Sequence, residues 1–168
     1  MARVNVAWLM KKQVLIQKVI AHLADELELF ARAAKAAHAE ATDEQSKAEN
    51  KYDTRGLEAA YLARGQSRQI QEIEAAIAAF QKLDPRPFAA GEPIGLGALV
   101  ELEQQGERTL YLIGPRAGGT EITHDRRLVL VITPQSPLGA QLMEKKAGDR
   151  PQLLLAGRKQ AAQILSVE

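Results

Sequence analysis

An α+β chain, with an antiparallel coiled-coil hairpin first and a small antiparallel sheet with one helix after it, is predicted by three features of this sequence. Apolar or small residues recur in alternating steps of four and three from Leu9 through Ile16, Ile20, Leu23, Leu27 and Phe30 to Ala41, with Gln13 the single polar member. An acid-rich stretch, Glu40-Ala41-Thr42-Asp43-Glu44, interrupts that ladder, which resumes at Tyr52 and runs in the same rhythm to Phe80. All seven prolines stand at or after Pro85, and ten of the twelve glycines follow Gly65, so the two halves obey different backbone constraints.

The first half, residues 1–84, is rich in Ala, Gln, Glu, Lys and Leu, which keep rotamer freedom in a helix, and its apolar period is close to 3.5. A helix with an apolar seam gains most of its stability by packing that seam, so two such helices in sequence predict a hairpin. The turn is placed by Thr42-Asp43-Glu44-Gln45, a capping box in which Thr42 accepts from the third helical amide and Gln45 reaches back. Helix two is expected from Asp43, and helix one over residues 7–41, an arm of roughly 50 Å at about 1.5 Å per residue. Seam residues shrink toward the break, to Ala34, Ala37, Ala41, Gly56 and Ala59. Close approach and a slim arm would follow, although alanine also serves helicity alone.

The linker is placed at 85–93 and a C-terminal domain at 94–168. Residues 98–103 and 109–113 alternate like strands and are joined through Gln104-Gln105-Gly106-Glu107, a hairpin signal, and 128–133 is an apolar run bounded by charge and proline. Ser136-Pro137 supplies a cap and a proline at the first helical position ahead of 138–146, with Lys145 and Lys146 in the last turn and Gly148 beyond. Runs at 152–155 and 160–167 flank Gly157 and complete the sheet. Such a domain of roughly 75 residues folds alone with a thin margin.

Composition removes several function classes. A net charge of +1 over 168 residues gives no global pull toward nucleic acid or anionic membrane. The absence of cysteine excludes disulfides, thiol nucleophiles and cysteine-ligated zinc, and fits a reducing compartment. No signal-peptide order and no apolar run near the ~20 residues of a membrane span is found, so the expectation is a cytoplasmic protein without a membrane partner.

Two constellations could carry chemistry. Asp43 and Glu44, with Glu40 close by, put carboxylates at the first turn of helix two, where they favour the helix dipole by about 0.3–1 kcal/mol. Exposed paired carboxylates can also supply part of the oxygen shell of Mg²⁺, provided another protein supplies the rest. Lys47, Lys51 and Arg55 then repeat every four residues, with Glu49 and Asp53 offset. That stripe reads as a solvated face with intrahelical pairs, or as a basic strip behind an acidic tip. Gly95-Leu96-Gly97 lacks the third glycine or lysine of a phosphate loop, and the histidines His22, His38 and His124 are too scattered for a metal motif. Self-contained enzyme chemistry is not expected.

Ser136-Pro137-Leu138-Gly139, followed by Leu142, Lys145-Lys146 and Gly148-Asp149, resembles the bacterial Gre-type transcript-cleavage and elongation factors. Leu110-Tyr111-Leu112-Ile113-Gly114-Pro115 is similar to that family's mid-domain strand, and Glu49-Asn50 with Tyr52 to its helix-two motif. The resemblance implies a coiled-coil hairpin joined to an FKBP-like domain. In such proteins the globular domain docks at the rim of the RNA polymerase secondary channel, and tip acids help hold a catalytic Mg²⁺ shared with the enzyme. Backtracked RNA is then cut at its 3′ end by the polymerase itself, so the factor is not an enzyme and binds no cofactor tightly.

By motif, Ser136, Pro137, Leu138 and Gly139 would contact polymerase. Asp43, Glu44 and Glu49 would be the tip carboxylates, with Asp43 and Glu44 on the shared ion. The tip departs from the family's wording, since Ser46 stands where aspartate is usual and the glycine is missing. Three readings therefore stand: a cleavage-stimulating factor, a channel-binding regulator without cleavage, and a coiled-coil chaperone or scaffold. A monomer is expected, because the hairpin covers its own seam.

Overall fold

The structure, a computed structural model, describes residues 6–42, 55–155 and 157–168. Two long helices, α1 (Val6–Thr42) and α2 (Arg55–Gln81), form a helical hairpin and precede the strands. They are followed by β1 (Leu99–Gln104), β2 (Glu107–Ile113), β3 (Glu121–His124), β4 (Arg127–Ile132), α3 (Pro137–Leu142), β5 (Gln152–Leu155), β6 (Arg158–Ala161) and β7 (Gln163–Val167). The predicted α+β class is what the chain adopts. Its compact units divide within the helices: residues 21–78 form one, and residues 1–20 with 79–168 the other.

In the helical unit the ladder positions are the covered ones. Leu23 and Ile73 are buried, and Leu27, Phe30, Ala34, Ala37, Ala63, Gln66, Ile70 and Ile77 are half-buried. Most of the positions between them are exposed, as a period near 3.5 requires when one stripe carries the packing. The start expected for helix two at Asp43 lies outside the described residues.

The larger unit is built on a five-stranded sheet in the order β3-β4-β2-β1-β7, beside a two-stranded sheet of β5 and β6. The expected antiparallel sheet is corrected to a mixed one, because β2 and β4 run parallel, with Leu110 opposite Val129 and Ile113 opposite Ile132. The physical cause is β3, a strand the sequence reading missed. It pairs antiparallel with β4 through a two-residue turn, Asp125-Arg126, both at positive φ (48° and 63°). Such a turn normally advertises itself with glycine or asparagine, and here it is made without either. The β1–β2 hairpin has the ordinary signal, with Gln105 and Gly106 at φ 52° and 84°.

The helix expected over 138–146 stops at Leu142. Met143 is extended and Glu144 takes a φ of 65°, which redirects the backbone so that Glu144 N–H donates to Ile94 (3.2 Å) and Ile94 N–H to the Lys145 carbonyl (2.7 Å). Tertiary pairing with residue 94 wins over the helical pattern of Lys145 and Lys146. Likewise the run at 160–167 is two strands, β6 ending at Ala161 and β7 starting at Gln163.

Both faces of the sheet are covered. Val100, Leu102, Tyr111, Ile113 and Ile132 pack with Leu142, Leu153, Ile164 and Ile94. Strand alternation puts Leu110, Leu112, Val129 and Val131 on the opposite face. There Leu15 of α1 borders Leu99 and Leu110, and Phe80 reaches Val131 across Gly114. Each fully buried aliphatic or aromatic side chain of this kind contributes about 1.5–3 kcal/mol. Gly114 lets the two side chains close over it: a Cβ there would lie 2.7 Å from Val131 Cγ1 and 2.8 Å from Phe80 Cζ. Gly114→Ala is therefore expected to destabilise the unit by about 1–3 kcal/mol in urea unfolding, and Phe80→Leu in the same chain to restore part of that loss.

Candidate functional site

The predicted polymerase-contact residues form one turn at the start of α3. Ser136 is its N-cap, in extended conformation, and its Oγ accepts from the Gly139 N–H (3.1 Å) and donates to the Thr133 carbonyl (2.8 Å). Pro137 takes the first helical position, where its missing N–H is no loss. Gly139 is buried, and a Cβ built on it would come within 1.9 Å of the Thr133 carbonyl oxygen. Gln141 closes the turn through Nε2, which donates to the Pro137 carbonyl (2.7 Å). Ser136 and Gly139 thus fix the backbone, Leu138 leans on the sheet core, and Pro137 is left exposed.

The other predicted site residues fall elsewhere. Asp43, Glu44, Glu49, Lys47 and Lys51 lie outside the described residues. Arg55 is the first residue of α2. Among the described residues no group of three or more His, Asp or Glu could hold a metal ion. No helix among them is long and apolar enough to cross a membrane.

The sequence reading missed a second polar centre, where the start of α1 meets the sheet. Lys12 is 1% exposed, donates to the Arg86 carbonyl (2.9 Å) and lies 4.8 Å from the centroid of the Phe88 ring. The Arg86 guanidinium stands 4.3 Å from the same ring and pairs with Glu92 at 2.6 Å. Burial, helped by the positive charge of Arg86 and opposed by Glu168, Asp84 and Glu92, lowers the Lys12 pKa to about 8. The signal was present: Lys12, Leu15, Ile16 and Val19 share one helical face by their spacing of three, one and three. That face, and not the exposed Gln13, meets the domain.

Beside Lys12 a cleft of about 280 Å³ is lined by Lys11, Lys12 and Arg127 against Glu101, Asp125 and Glu168, with His124 among them. Arg127 pairs with Glu101 at 2.7 Å and Lys11 with Asp125 at 3.4 Å, so the charges of the cleft largely answer one another. His124 is 8% exposed, and its Nδ1 has no partner among the described residues. Burial holds its pKa below the usual histidine value, against the pull of Asp125 and with the help of Lys18 and Lys11. Lys18 Nζ donates to the Thr123 carbonyl (3.0 Å), so α1 is tied to the β3–β4 hairpin at both Thr123 and Asp125.

No family model matches the chain. No curated protein matches it either. Among solved structures it is similar to GreA factor homolog 1 (Gfh1) of Thermus thermophilus, at 23% identity over 89% of this chain and 94% of that one, with a TM-score of 0.39. A second structure of the transcription factor Gfh1 has 20% identity over 89% and 92%, at the same TM-score of 0.39. Gfh1 of Thermus aquaticus has 23% identity over 88% and 92%, again at 0.39.

Two outcomes follow from this geometry. Gly139→Ala should destabilise the domain by at least about 2 kcal/mol and Ser136→Ala by about 1 kcal/mol, read from urea midpoints. Lys12 has a lower pKa folded than unfolded, so the unfolded chain binds more protons, and this group's contribution to stability rises with pH above about 8. Between pH 7 and 10 the parent should therefore gain roughly 2 kcal/mol relative to Lys12→Met in urea unfolding; equal pH profiles would refute the burial of a charged Lys12.

Proposed function

We propose that this chain is a transcription elongation factor that binds RNA polymerase at its secondary channel and stimulates cleavage of backtracked RNA by the polymerase's own active site. The carrying observation is the Ser136-Gly139 turn. It is the motif by which the chain resembles Gre-type factors, and it is built so that Ser136 and Gly139 serve the backbone while Pro137 is free to meet a partner. The helical hairpin supports the reading, since a slim two-helix arm suits a narrow channel. Asp43 and Glu44, with Glu49 behind them, would assist Mg²⁺ held chiefly by the polymerase, a role in which a carboxylate near the second ion of a two-metal site stabilises the attacking oxygen. The chain would then be no enzyme by itself, and its contact with the RNA 3′ end would be indirect.

A second reading keeps the binding and drops the chemistry. It is favoured by Ser46, which stands where Gre-type tips carry aspartate. One assay separates the two: a halted, backtracked elongation complex with Mg²⁺ should release short 3′ RNA fragments when the protein is added. Asp43→Ala with Glu44→Ala should slow that release at least about tenfold, or 1.4 kcal/mol of barrier, while leaving co-purification with core polymerase intact. Binding without fragment release would establish the channel regulator. Absence of binding to core polymerase, by the parent as well as by Pro137→Glu, would sink both.

A further inference from the structure

We propose that the outer edge of β6 is a docking edge for an extended acidic segment of a partner protein, which adds a strand to the β5–β6 sheet. The inference does not draw on the polymerase reading. It begins with Gln141, whose side-chain amide acts as a one-residue strand. Its Oε1 accepts from the Leu154 N–H (2.6 Å) and its Nε2 donates to the Leu154 carbonyl (3.1 Å). Leu154 therefore turns both backbone groups away from β6, and its cross-strand neighbour Lys159 is in a non-hydrogen-bonded pair. Alternation makes Ala161, opposite Gln152, another such position, consistent with the Ala162 N–H donating to Pro151 (3.0 Å) just beyond it. The N–H and C=O groups of Lys159 and Ala161 thus face outward.

Other strand edges of this unit are engaged. β5 is engaged at Leu154 by Gln141, β3 at Thr123 by Lys18 on its carbonyl, and β7 at Ile164 by the 148–149 loop, where Gly148 N–H donates to Ile164 and Ile164 N–H to Asp149. Among the described residues no hydrogen bond reaches the outward groups of β6. Charge names the occupant. Residues 144–161 carry five cations, Lys145, Lys146, Arg150, Arg158 and Lys159, against two acids, Glu144 and Asp149. No ion pair among the described residues engages any of the five cations. Arg158 and Lys159 stand on the edge strand itself, both exposed, and so project to opposite faces of an added strand. An added strand with acidic side chains would meet a cation on either face. Single-stranded nucleic acid is a poorer match, because it is held by aromatic platforms, and the aromatic side chains of residues 85–168, Phe88 and Tyr111, lie elsewhere, one stacked under Lys12 and Arg86 and the other buried.

Lysine on an edge strand can also serve only to repel other strands, and that reading predicts no capture at all. The full-length chain would be titrated against a fluorescein-labelled peptide of alternating glutamate and valine, with oligo-dT of equal charge in parallel, by fluorescence anisotropy. Saturable peptide binding that weakens as salt rises is expected. Ala161→Pro removes one outward N–H and no hairpin bond, so it should weaken binding about tenfold or more at unchanged circular dichroism, whereas Ala161→Val keeps the N–H and should bind as the parent does. Arg158→Glu with Lys159→Glu should abolish binding, and Arg116→Glu with Arg126→Glu, the same charge change elsewhere, should not. No peptide binding, binding indifferent to Ala161→Pro in a folded protein, or preference for oligo-dT would each overturn the proposal.

Discussion

The buried ammonium of Lys12 is the interaction on which the larger unit depends, because it joins two stretches that are remote in the chain, α1 and the segment 86–92. One nitrogen on α1 bonds the Arg86 carbonyl and lies over the Phe88 ring, and Arg86 on the same ring is held by Glu92. A segment carrying Pro85, Pro87 and Pro93 cannot form a regular ladder of its own, so side chains must pin it. A lysine does this at the expense of desolvation, visible in its lowered pKa. Removing such a charge's partners is far more damaging than never burying it.

With α1 seated, the sheet can bury both faces. Leu15 and Phe80 cover the side carrying Leu110, Leu112, Val129 and Val131, and α3 with β5 and Ile94 covers the other. A mixed sheet of this size whose strands are apolar on both faces could not stay folded with one face in water. The ion pairs around the cleft contribute little stability each; Lys11 with Asp125 orients α1 on the β3–β4 hairpin, and Arg127 with Glu101 links β4 to β1.

In the Ser136-Gly139 turn the structural demands fall on two residues and leave a third uncommitted. Its serine and glycine are demanded by the backbone: a cap for α3 and a site where any Cβ would strike the Thr133 carbonyl. Neither demand reaches Pro137, which is exposed. Gln141, one turn further on, does double service by bonding Pro137 on one side and Leu154 on the other.

Local patterns determined the helices, the β1–β2 hairpin, β5 and the cap of α3, because each is specified by residues within a turn or a strand of one another: the heptad ladder, Gln105-Gly106, and Ser136-Pro137. The polarity of the sheet, the end of α3 and the Lys12 centre were decided only in three dimensions. β3 turns back without glycine or asparagine, and α3 yields to a backbone pairing with Ile94. Lys12 reads as a surface cation until a linker more than seventy residues away closes over it. The candidate site divides in the same way: the turn at Ser136 was legible because capping is local, whereas the outward groups of β6 are set by Gln141 bonding the opposite strand, a contact between elements that no periodicity encodes.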